Sequence, residues 1–330
     1  MNERIQTVAL TAAIGFGIIA YALLVRSRPR KKWRKVGTVS KLTFYPFKSA
    51  KGIQKSSLKL TSRGLADPDS GLLDRSFMVV KKLGKIMQNA RQIPKLVLIE
   101  TKIINKLGLQ LSAPGMNPIK IHKFSSQLEE IDNCSIPAHV FNCGEDAARW
   151  ITEYIDIKDE HDNLVEFEIY CYDNENSKRN GGKRFRKERK LLGKNDDTEI
   201  EYDMTLPDLS SFYVTTQQSL DFLNAQLEAK NVEGMDTRTF RTAIHVDADN
   251  DLPWQEENWS HLKFGEDLFE LKAFRKCARC ILTTVDMDTG KRRNNMEPLR
   301  TLREINMAPK KDQIVYKDPI FGMHQSWFKF

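Results

Sequence analysis

The stretch "SFMVVKKLGKIM", residues 76–87, decides the fold class of this 330-residue chain. Two apolar runs flank a glycine, which is the pattern of a β-hairpin that turns near Gly84. Similar short runs are "VGTVSKLTFYPFKS" (36–49), "KLVLIETKI" (95–103) and "LGLQLSAPG" (107–115). Pro46 should end the first run, because proline cannot donate to a sheet ladder. Many short strands between Gly and Pro turns predict a β-barrel or sandwich.

Three other stretches have the helical period. They are "CGEDAARWITEYI" (143–155), "FYVTTQQSLDFLNAQLEAK" (212–230), where a strand leads into the helix, and "EPLRTLREI" (297–305). Further strands are predicted in "TAIHVDAD" (242–249) and in "LKFGEDLFELKAF" (262–274). The sequence therefore predicts a mainly β protein with helices, of the α+β class.

The N-terminal region predicts a membrane anchor. "TVALTAAIGFGIIAYALLV", residues 7–25, is uncharged and as a helix would span about 30 Å, the thickness of a bilayer core. A cleaved secretory signal is the alternative, but the run exceeds the usual apolar region of about 7–15 residues. "RSRPRKKWRK" (26–35) follows it without a small-residue cleavage site. We expect one transmembrane helix, with the rest of the chain facing the cytosol by the positive-inside rule.

Charge is concentrated in two places. Residues 1–35 hold eight basic and one acidic side chain, and so carry +7 of the formal net charge of +8. The nearly neutral remainder argues against nucleic-acid binding. Residues 178–190, "KRNGGKRFRKERK", are again strongly basic. They predict a charged loop over 178–200, between domains at 36–177 and 201–330, which either docks an acidic partner or is simply solvated.

The stretch "KCARCILTTVDMDTG" (276–290) contains two of the five cysteines, Cys277 and Cys280. A zinc site needs four ligands, and neither the other cysteines nor the histidines have the required spacing. A thioredoxin-like dithiol needs a helix after the pair, whereas "ILTTV" favours a strand. Two uses remain open: buried packing, or one thiolate on a soft metal, with Arg279 favouring that thiolate and contacting an anionic cofactor.

Six blocks in the same order along residues 36–322 resemble the MOSC-domain molybdenum enzymes, and among them the amidoxime-reducing components. The blocks are "YPFKSAKG" (45–52), "LLDRSFMVV" (72–80), "NARQIPKLVLI" (89–99), "FRTAI" (240–244), "WSHLKFGEDLFELK" (259–272) and "KCARCILTTVDMDTG" (276–290). This resemblance implies an N-terminal MOSC-type β-barrel domain and a MOSC β-barrel domain behind the transmembrane helix.

The resemblance also implies a molybdenum cofactor (Mo-molybdopterin), with Cys280 as the catalytic thiolate ligand of the metal. The residues implied in cofactor binding are Lys48, Ser49, Arg75, Ser210, Arg241, Arg279 and Cys280. Two departures stand out. Thr242 and Ala243 follow Arg241, where the family commonly has Pro and Asn, and relatives continue beyond "FGMHQSWFKF" (321–330) into a final strand. We therefore expect an altered loop after Arg241 and either a substituted or a missing edge strand.

The activity implied is reduction of N-hydroxylated compounds such as amidoximes, hydroxylamines and N-oxides. Cytochrome b5 would supply the electrons and an NADH-dependent cytochrome b5 reductase would reduce it, which agrees with the lack of a G-x-G-x-x-G fingerprint in this chain. The implied location is the mitochondrial outer membrane, single-pass, facing the cytosol. Two alternatives remain: a MOSC scaffold that binds molybdopterin or transfers sulfur, and a membrane-tethered interaction protein.

Overall fold

The computed structural model describes residues 32–123, 125–174, 177, 179–181, 188, 190–192, 202–265 and 269–327. Its strands are, in chain order, β1 (Gly37–Phe44), β2 (Ile53–Lys55), β3 (Lys59–Thr61), β4 (Gly64–Ala66), β5 (Phe77–Lys81), β6 (Ile86–Gln88), β7 (Glu100–Asn105), β8 (Gly108–Ser112), β9 (Ile119–His122), β10 (Leu128–Asp132), β11 (Pro137–Asn142), β12 (Phe167–Tyr172), β13 (Phe212–Thr216), β14 (Ile244–Ala248), β15 (His261–Lys263), β16 (Glu270–Ala278) and β17 (Ile320–Trp327). The α-helices are α1 (Glu145–Ile155), α2 (Gln217–Glu228) and α3 (Leu299–Ile305).

The strands form four sheets. A seven-stranded sheet has the order β15-β16-β17-β13-β14-β1-β2, and a five-stranded sheet has the order β10-β11-β12-β5-β6. Two small sheets contain β3-β4 and β7-β8-β9. β1 pairs antiparallel with β14, from Gly37 opposite Ala248 to Leu42 opposite Ile244. The first strand of the predicted N-terminal domain therefore lies in the sheet of the second half, and the predicted domain division stays a prediction.

The hairpin and the three helices follow the predicted pattern. β5 and β6 flank Gly84, whose φ of 80° suits a residue without a side chain. α1 buries Trp150 and Ile151 in the core cluster beneath it, and α2 buries Leu223 in a second cluster. Local periodicity therefore identifies these elements correctly, because one face of each helix is buried.

The fold class predicted from the sequence is wrong in one respect, since it included a transmembrane helix. Among the residues that the structure describes, no helix is long and apolar enough to cross a membrane. The predicted segment, residues 7–25, lies outside the described ranges, so the predicted single-pass anchor has no helix in the described structure. The corrected class is mainly β with few helices.

The run "ILTTV" after the cysteine pair also differs from its prediction as a strand. Residues Ile281–Thr284 form a 3-10 helix. The hydroxyl of Thr283 donates to the Cys280 carbonyl at 3.0 Å, and that of Thr284 donates to the Ile281 carbonyl at 2.8 Å. Threonine hydroxyls thus bond to the preceding turn, which offers the backbone an alternative to a sheet ladder.

Candidate functional site

A cavity of about 240 Å³ lies at the end of β16 and draws its wall from both halves of the described chain. The wall consists of Arg75, Arg91, Cys134, Pro207, Asp208, Leu209, Ser210, Tyr213, Phe240, Arg241, Cys277, Ala278, Arg279, Cys280, Leu282 and His324. Five of the seven residues implied in cofactor binding are therefore together: Arg75, Ser210, Arg241, Arg279 and Cys280. The other two, Lys48 and Ser49, do not line it.

Cys280 is a half-buried thiol in this wall. It lies two residues past the end of β16 and directly precedes the 3-10 helix. The backbone N–H of Thr283 donates to the Cys280 carbonyl at 3.1 Å, which anchors the cysteine backbone at the start of that helix. All five cysteines lie in the described ranges and are free thiols. Cys280 thus has the accessibility that a metal ligand requires.

Arg279 is buried and held from several sides. Nη1 donates to Cys277 Sγ at 2.9 Å, and Nη2 donates to the Phe240 carbonyl at 3.1 Å. The guanidinium carbon lies 5.2 Å from the ring centre of Tyr213. Burial raises the pKa of the Cys277 thiol despite the adjacent guanidinium, so the acceptor is a neutral thiol at neutral pH. A guanidinium fixed in this way presents a preorganised positive charge.

Tyr45 lies between two arginines of the cavity. Its ring centre is 5.1 Å from the guanidinium carbon of Arg75 and 4.3 Å from that of Arg241. Arg75 also pairs with Asp74, and Arg241 Nη1 donates to the Ala50 carbonyl at 2.7 Å. Burial and the charge of Arg75 lower the pKa of Arg241 to about 10, which leaves it charged at neutral pH. One aromatic ring thus contacts both cations by cation–π geometry.

Three of the residues implied in cofactor binding have left-handed backbones. The φ angles are 72° for Ser49, 53° for Arg75 and 53° for Arg241. Residues with a side chain rarely adopt this region, and its cost has to be met by the surrounding contacts. At Arg75 the backbone N–H donates to the Tyr45 carbonyl at 2.7 Å. Strained backbone in loops around one cavity is typical of a functional site.

Lys48 and Ser49 do not line the cavity but contact the loops around it. Lys48 is 6% exposed, and its Nζ donates to the Leu206 carbonyl at 2.7 Å and pairs with Asp208. The Ser49 hydroxyl accepts the Ala90 N–H at 3.0 Å. Burial would raise the pKa of Asp208, but the charges of Lys48 and Arg91 hold it below its usual value. Lys48 and Ser49 therefore each connect two loops. The ion pair between Lys48 and Asp208 holds Asp208 in the cavity wall.

Sequence reasoning missed Arg91, Asp208 and Cys134, all of which line the cavity. Arg91 Nη2 lies 3.2 Å from Asp208 Oδ2. Arg91 belongs to the block "NARQIPKLVLI" and Asp208 lies two residues before Ser210, so both positions were close to residues already singled out. The residues around Cys134 in the sequence contain no motif. Nothing there predicts that Cys134 lies beside cavity residues 70 or more positions away in the chain.

Arg179 corrects part of the charged-loop prediction. It belongs to the basic run 178–190 but is 1% exposed. Its guanidinium donates to four backbone carbonyls, at 2.5–3.3 Å: those of Asn133, Ile136, Thr205 and Pro207. It therefore joins the loops that carry Cys134 and Asp208. Lys183, Arg184, Arg186 and Lys187, for which docking of an acidic partner or simple solvation was left open, lie outside the described residues.

Hydrogen bonds of Thr242 and Ala243 hold the loop after Arg241 in place. The Thr242 carbonyl accepts the Tyr45 hydroxyl at 3.4 Å, and the Thr242 hydroxyl lies 3.2 Å from that of Thr215. The Ala243 carbonyl accepts the Thr43 N–H at 2.9 Å. Residues 242 and 243 therefore offer no side-chain amide, and Arg241 contacts the Tyr45 ring and the Ala50 carbonyl.

Comparison with known proteins assigns a domain family to each half of the chain. Residues 36–158 match the family model of the MOSC N-terminal beta barrel domain, and residues 201–325 match that of the MOSC domain. The chain is 34% identical over 321 residues to mitochondrial amidoxime reducing component 2 of Macaca fascicularis, covering 96% of this chain and 86% of the relative. The chain belongs to the family of the mitochondrial amidoxime reducing components.

Other members are similarly related. Identity is 33% over 321 residues with component 2 of Homo sapiens, covering 96% of this chain and 86% of the relative. Identity is 31% over 330 residues with component 1 of Mus musculus, covering 95% of this chain and 84% of the relative. The family match agrees with the resemblance noted from the six blocks.

The cavity fits the molybdenum cofactor that the family implies. Within the described residues, the buried atoms Arg241 Nη2 and Arg279 Nε have no hydrogen-bond partner. Such donors are costly to bury unless a ligand accepts from them, and a phosphate does so. No group of three or more His, Cys, Asp or Glu side chains able to hold a metal occurs in the described ranges. A ligand that brings its own metal and needs one protein thiolate suits these residues.

Proposed function

We propose that the chain is a molybdenum-cofactor-dependent reductase of N-hydroxylated compounds. The observation that carries the proposal is the half-buried Cys280 thiol in one cavity wall with three buried or part-buried arginines, Arg75, Arg241 and Arg279. The printed names of the relatives, amidoxime reducing components, support the reaction class. Their names also support a mitochondrial location.

We assign the cofactor contacts as follows. Cys280 would ligate the metal, and Arg75, Arg241 and Arg279 would hold the phosphate, because a planar guanidinium can donate two hydrogen bonds at once. Ser210, which lines the same cavity, would also contact the ligand. Lys48 and Ser49 would act by holding their loops in place, Lys48 through its pair with Asp208. The positive wall offsets the negative charge of the ligand on binding.

The bound molybdenum would supply two-electron reduction of the N–O bond. In the net reaction two electrons and two protons convert N–OH to N–H and water. The chain itself would orient the cofactor and fix the thiolate position. We further propose cytochrome b5 as electron donor and an NADH-dependent cytochrome b5 reductase behind it, as the family resemblance implies.

A second function is favoured by one observation. Three thiols, Cys134, Cys277 and Cys280, line the same cavity. A protein that stores or transfers sulfur or the cofactor without turnover would also use thiols beside an anion site. This scaffold function differs from the reductase in a measurable way, since it requires bound cofactor but no reduction of substrate.

The test is reduction of benzamidoxime by the purified full-length protein with reconstituted cytochrome b5 and its reductase. We expect turnover and about one molybdenum per chain in wild type, as one thiolate site implies. Cys280→Ser should lose both the metal and the activity. Cys277→Ser is the matched control, because its hydroxyl can still accept from Arg279. Full activity in Cys280→Ser would rule out the assignment, and bound cofactor without turnover in wild type would favour the scaffold.

A further inference from the structure

A short basic segment, residues 291–293 with the sequence "KRR", lies outside the wall of the cavity. The Asp286 N–H donates to the Lys291 carbonyl at 2.8 Å, which closes a small hairpin. The first arm of this hairpin directly follows the 3-10 helix whose N-cap is Cys280. The chain therefore joins the basic segment to the element that begins at Cys280.

The basic segment contacts the loop that carries Arg91. The guanidinium of Arg292 donates to the Arg91 carbonyl. Ala90, Leu282 and Val285 pack in one apolar cluster, which joins that loop to the 3-10 helix and to the hairpin. The Arg91 side chain lines the cavity and is 34% exposed, so it lies where the cavity meets solvent. The basic segment is therefore next to the mouth of the cavity.

Two charges of the basic segment are uncompensated. Arg293 pairs with Asp286 at 2.8 Å. Lys291 and Arg292 are exposed and have no carboxylate partner among the residues that the structure describes. The whole chain after residue 35 carries only +1 of the formal net charge of +8, so two free cations side by side stand out from their surroundings. Such a patch attracts an anionic partner and speeds its association.

The position of these two cations favours a protein partner over a small substrate. Neither Lys291 nor Arg292 belongs to the cavity wall, which a small substrate would contact. The proposed reaction consumes two electrons, and a donor has to deliver them to the cavity. Because electron transfer slows steeply with distance, a donor protein has to dock over the mouth of the cavity. A donor with acidic side chains around its redox group would meet Lys291 and Arg292 there.

We propose that Lys291 and Arg292 form a docking surface for an acidic electron-donor protein, beside the mouth of the cavity. The inference rests on the proposed function and adds to it the place at which the donor binds. Arg292 also contacts the Arg91 carbonyl. The hydrogen bonds of Lys291 within the described residues are made by its backbone. A change at the Lys291 side chain therefore tests docking without removing a contact to Arg91.

The test measures binding of cytochrome b5, the donor proposed above, to three variants of the full-length protein. They are Lys291→Glu, the double variant Lys291→Glu/Arg292→Glu, and the control Lys102→Glu/Lys120→Glu. The control changes the net charge as much as the double variant does, at two exposed lysines opposite Gln110 in the β7-β8-β9 sheet, outside the cavity wall. Calorimetric titration at low ionic strength gives the Kd.

We expect the Kd for cytochrome b5 to rise about tenfold in the double variant and about threefold in Lys291→Glu, because exposed charges at an interface act mainly through the association rate. The control should change the Kd less than about twofold, and the differences should shrink as salt screens the charges. Circular dichroism and thermal unfolding show whether each variant is folded. Lys291→Glu carries the test if the double variant does not fold.

Turnover separates docking from chemistry. With reduced methyl viologen, a small donor that needs no docking surface, all variants should reduce benzamidoxime at the wild-type rate. With cytochrome b5, the KM for the donor should rise in the double variant while the molybdenum content stays unchanged.

The contrary outcomes are distinct. A Kd in the double variant equal to that of the control overturns the inference, and so does a rate with methyl viologen that falls as much as the rate with cytochrome b5. Wild type that reduces benzamidoxime with methyl viologen but binds no cytochrome b5 overturns the inference and leaves the reductase function standing. Wild type that binds cytochrome b5 through these residues but reduces no N-hydroxylated compound contradicts the proposed function alone.

Discussion

Arg279 Nη1 donates a hydrogen bond to Cys277 Sγ at 2.9 Å, and this contact separates the roles of the two cysteines in "CARC". Cys277 is 5% exposed and packs in the cluster that contains Leu223 and Phe321. Cys280, three residues on, lines the cavity and is half-buried. Cys277 therefore positions the arginine beside the proposed metal ligand.

The first prediction concerns this acceptor. Cys277→Ala leaves a donor of a buried guanidinium without a partner, so the free energy of unfolding should fall by about 1–3 kcal/mol. Cys277→Ser keeps an acceptor and should lose less. Urea unfolding of both variants, followed by circular dichroism, measures the difference. Equal losses in the two variants would mean that the hydrogen bond contributes nothing beyond the packing of the side chain.

The second prediction concerns Arg179, whose guanidinium donates to four carbonyls. Arg179→Met leaves four carbonyls without these donors, and we expect a loss of about 3 kcal/mol or more in the free energy of unfolding, since each unsatisfied buried acceptor costs about 1–3 kcal/mol. Arg149→Met is the control, because the Arg149 side chain is 75% exposed and such pairs contribute little, within about 1 kcal/mol. A loss at Arg179 no larger than at Arg149 would show that the carbonyls find other partners.

The elements of the fold that could be predicted are those with a local pattern. The apolar spacing of α1 and α2 and the glycine of the β5–β6 hairpin are properties of neighbouring residues, and the structure contains all three. The pairing of β1 with β14 is not local, since Gly37 lies opposite Ala248. No pattern within either segment specifies that partner, so the sheet shared by the two halves was not predicted.

In the candidate site, only the residues that lie within recognisable sequence motifs could be predicted. Resemblance supplied Cys280 and three of the four arginines of the wall, and the structure brings them together. Arg179 was missed because a run of basic residues predicts solvation, whereas its burial depends on carbonyls from two distant loops. His324 was missed because a single histidine in a strand has no distinguishing neighbours. Its side chain contacts Ser210, which lies 114 residues away in the sequence.

The third prediction concerns Tyr45, which contacts both Arg75 and Arg241 through its ring. Tyr45→Leu removes the aromatic face between two like charges, and we expect molybdopterin retention to fall about threefold or more, the scale of a partly buried cation–π contact. Tyr45→Phe keeps the face and loses only the 3.4 Å bond to the Thr242 carbonyl. Dialysis of the two purified variants measures retention. If Tyr45→Phe loses as much as Tyr45→Leu, the hydroxyl and not the ring positions the arginines.

The fourth prediction concerns pH and Glu256, which is fully buried below the start of α2. Its Oε2 accepts hydrogen bonds from the hydroxyls of Thr216 at 2.8 Å and Ser219 at 2.9 Å. Burial raises the pKa of this carboxyl from 4.5 to about 7. The folded protein therefore binds one more proton than the unfolded chain between these two pH values, so this group stabilises the fold at low pH and the stabilisation is lost as pH rises through 7. The loss amounts to about 3 kcal/mol at 1.36 kcal/mol per pKa unit.

Glu256→Gln removes the titration while keeping the shape of the side chain and an acceptor for the two hydroxyls. The difference in the free energy of unfolding between variant and wild type should therefore shift by about 3 kcal/mol in favour of the variant from pH 4.5 to pH 8. Other groups titrate in this window, but their effect is common to both proteins and cancels in the difference. Urea unfolding at several pH values measures that difference directly. A difference that stays constant with pH would mean that Glu256 is ionised in the folded protein, and that hydroxyl donation from Thr216 and Ser219 outweighs the cost of burying its charge.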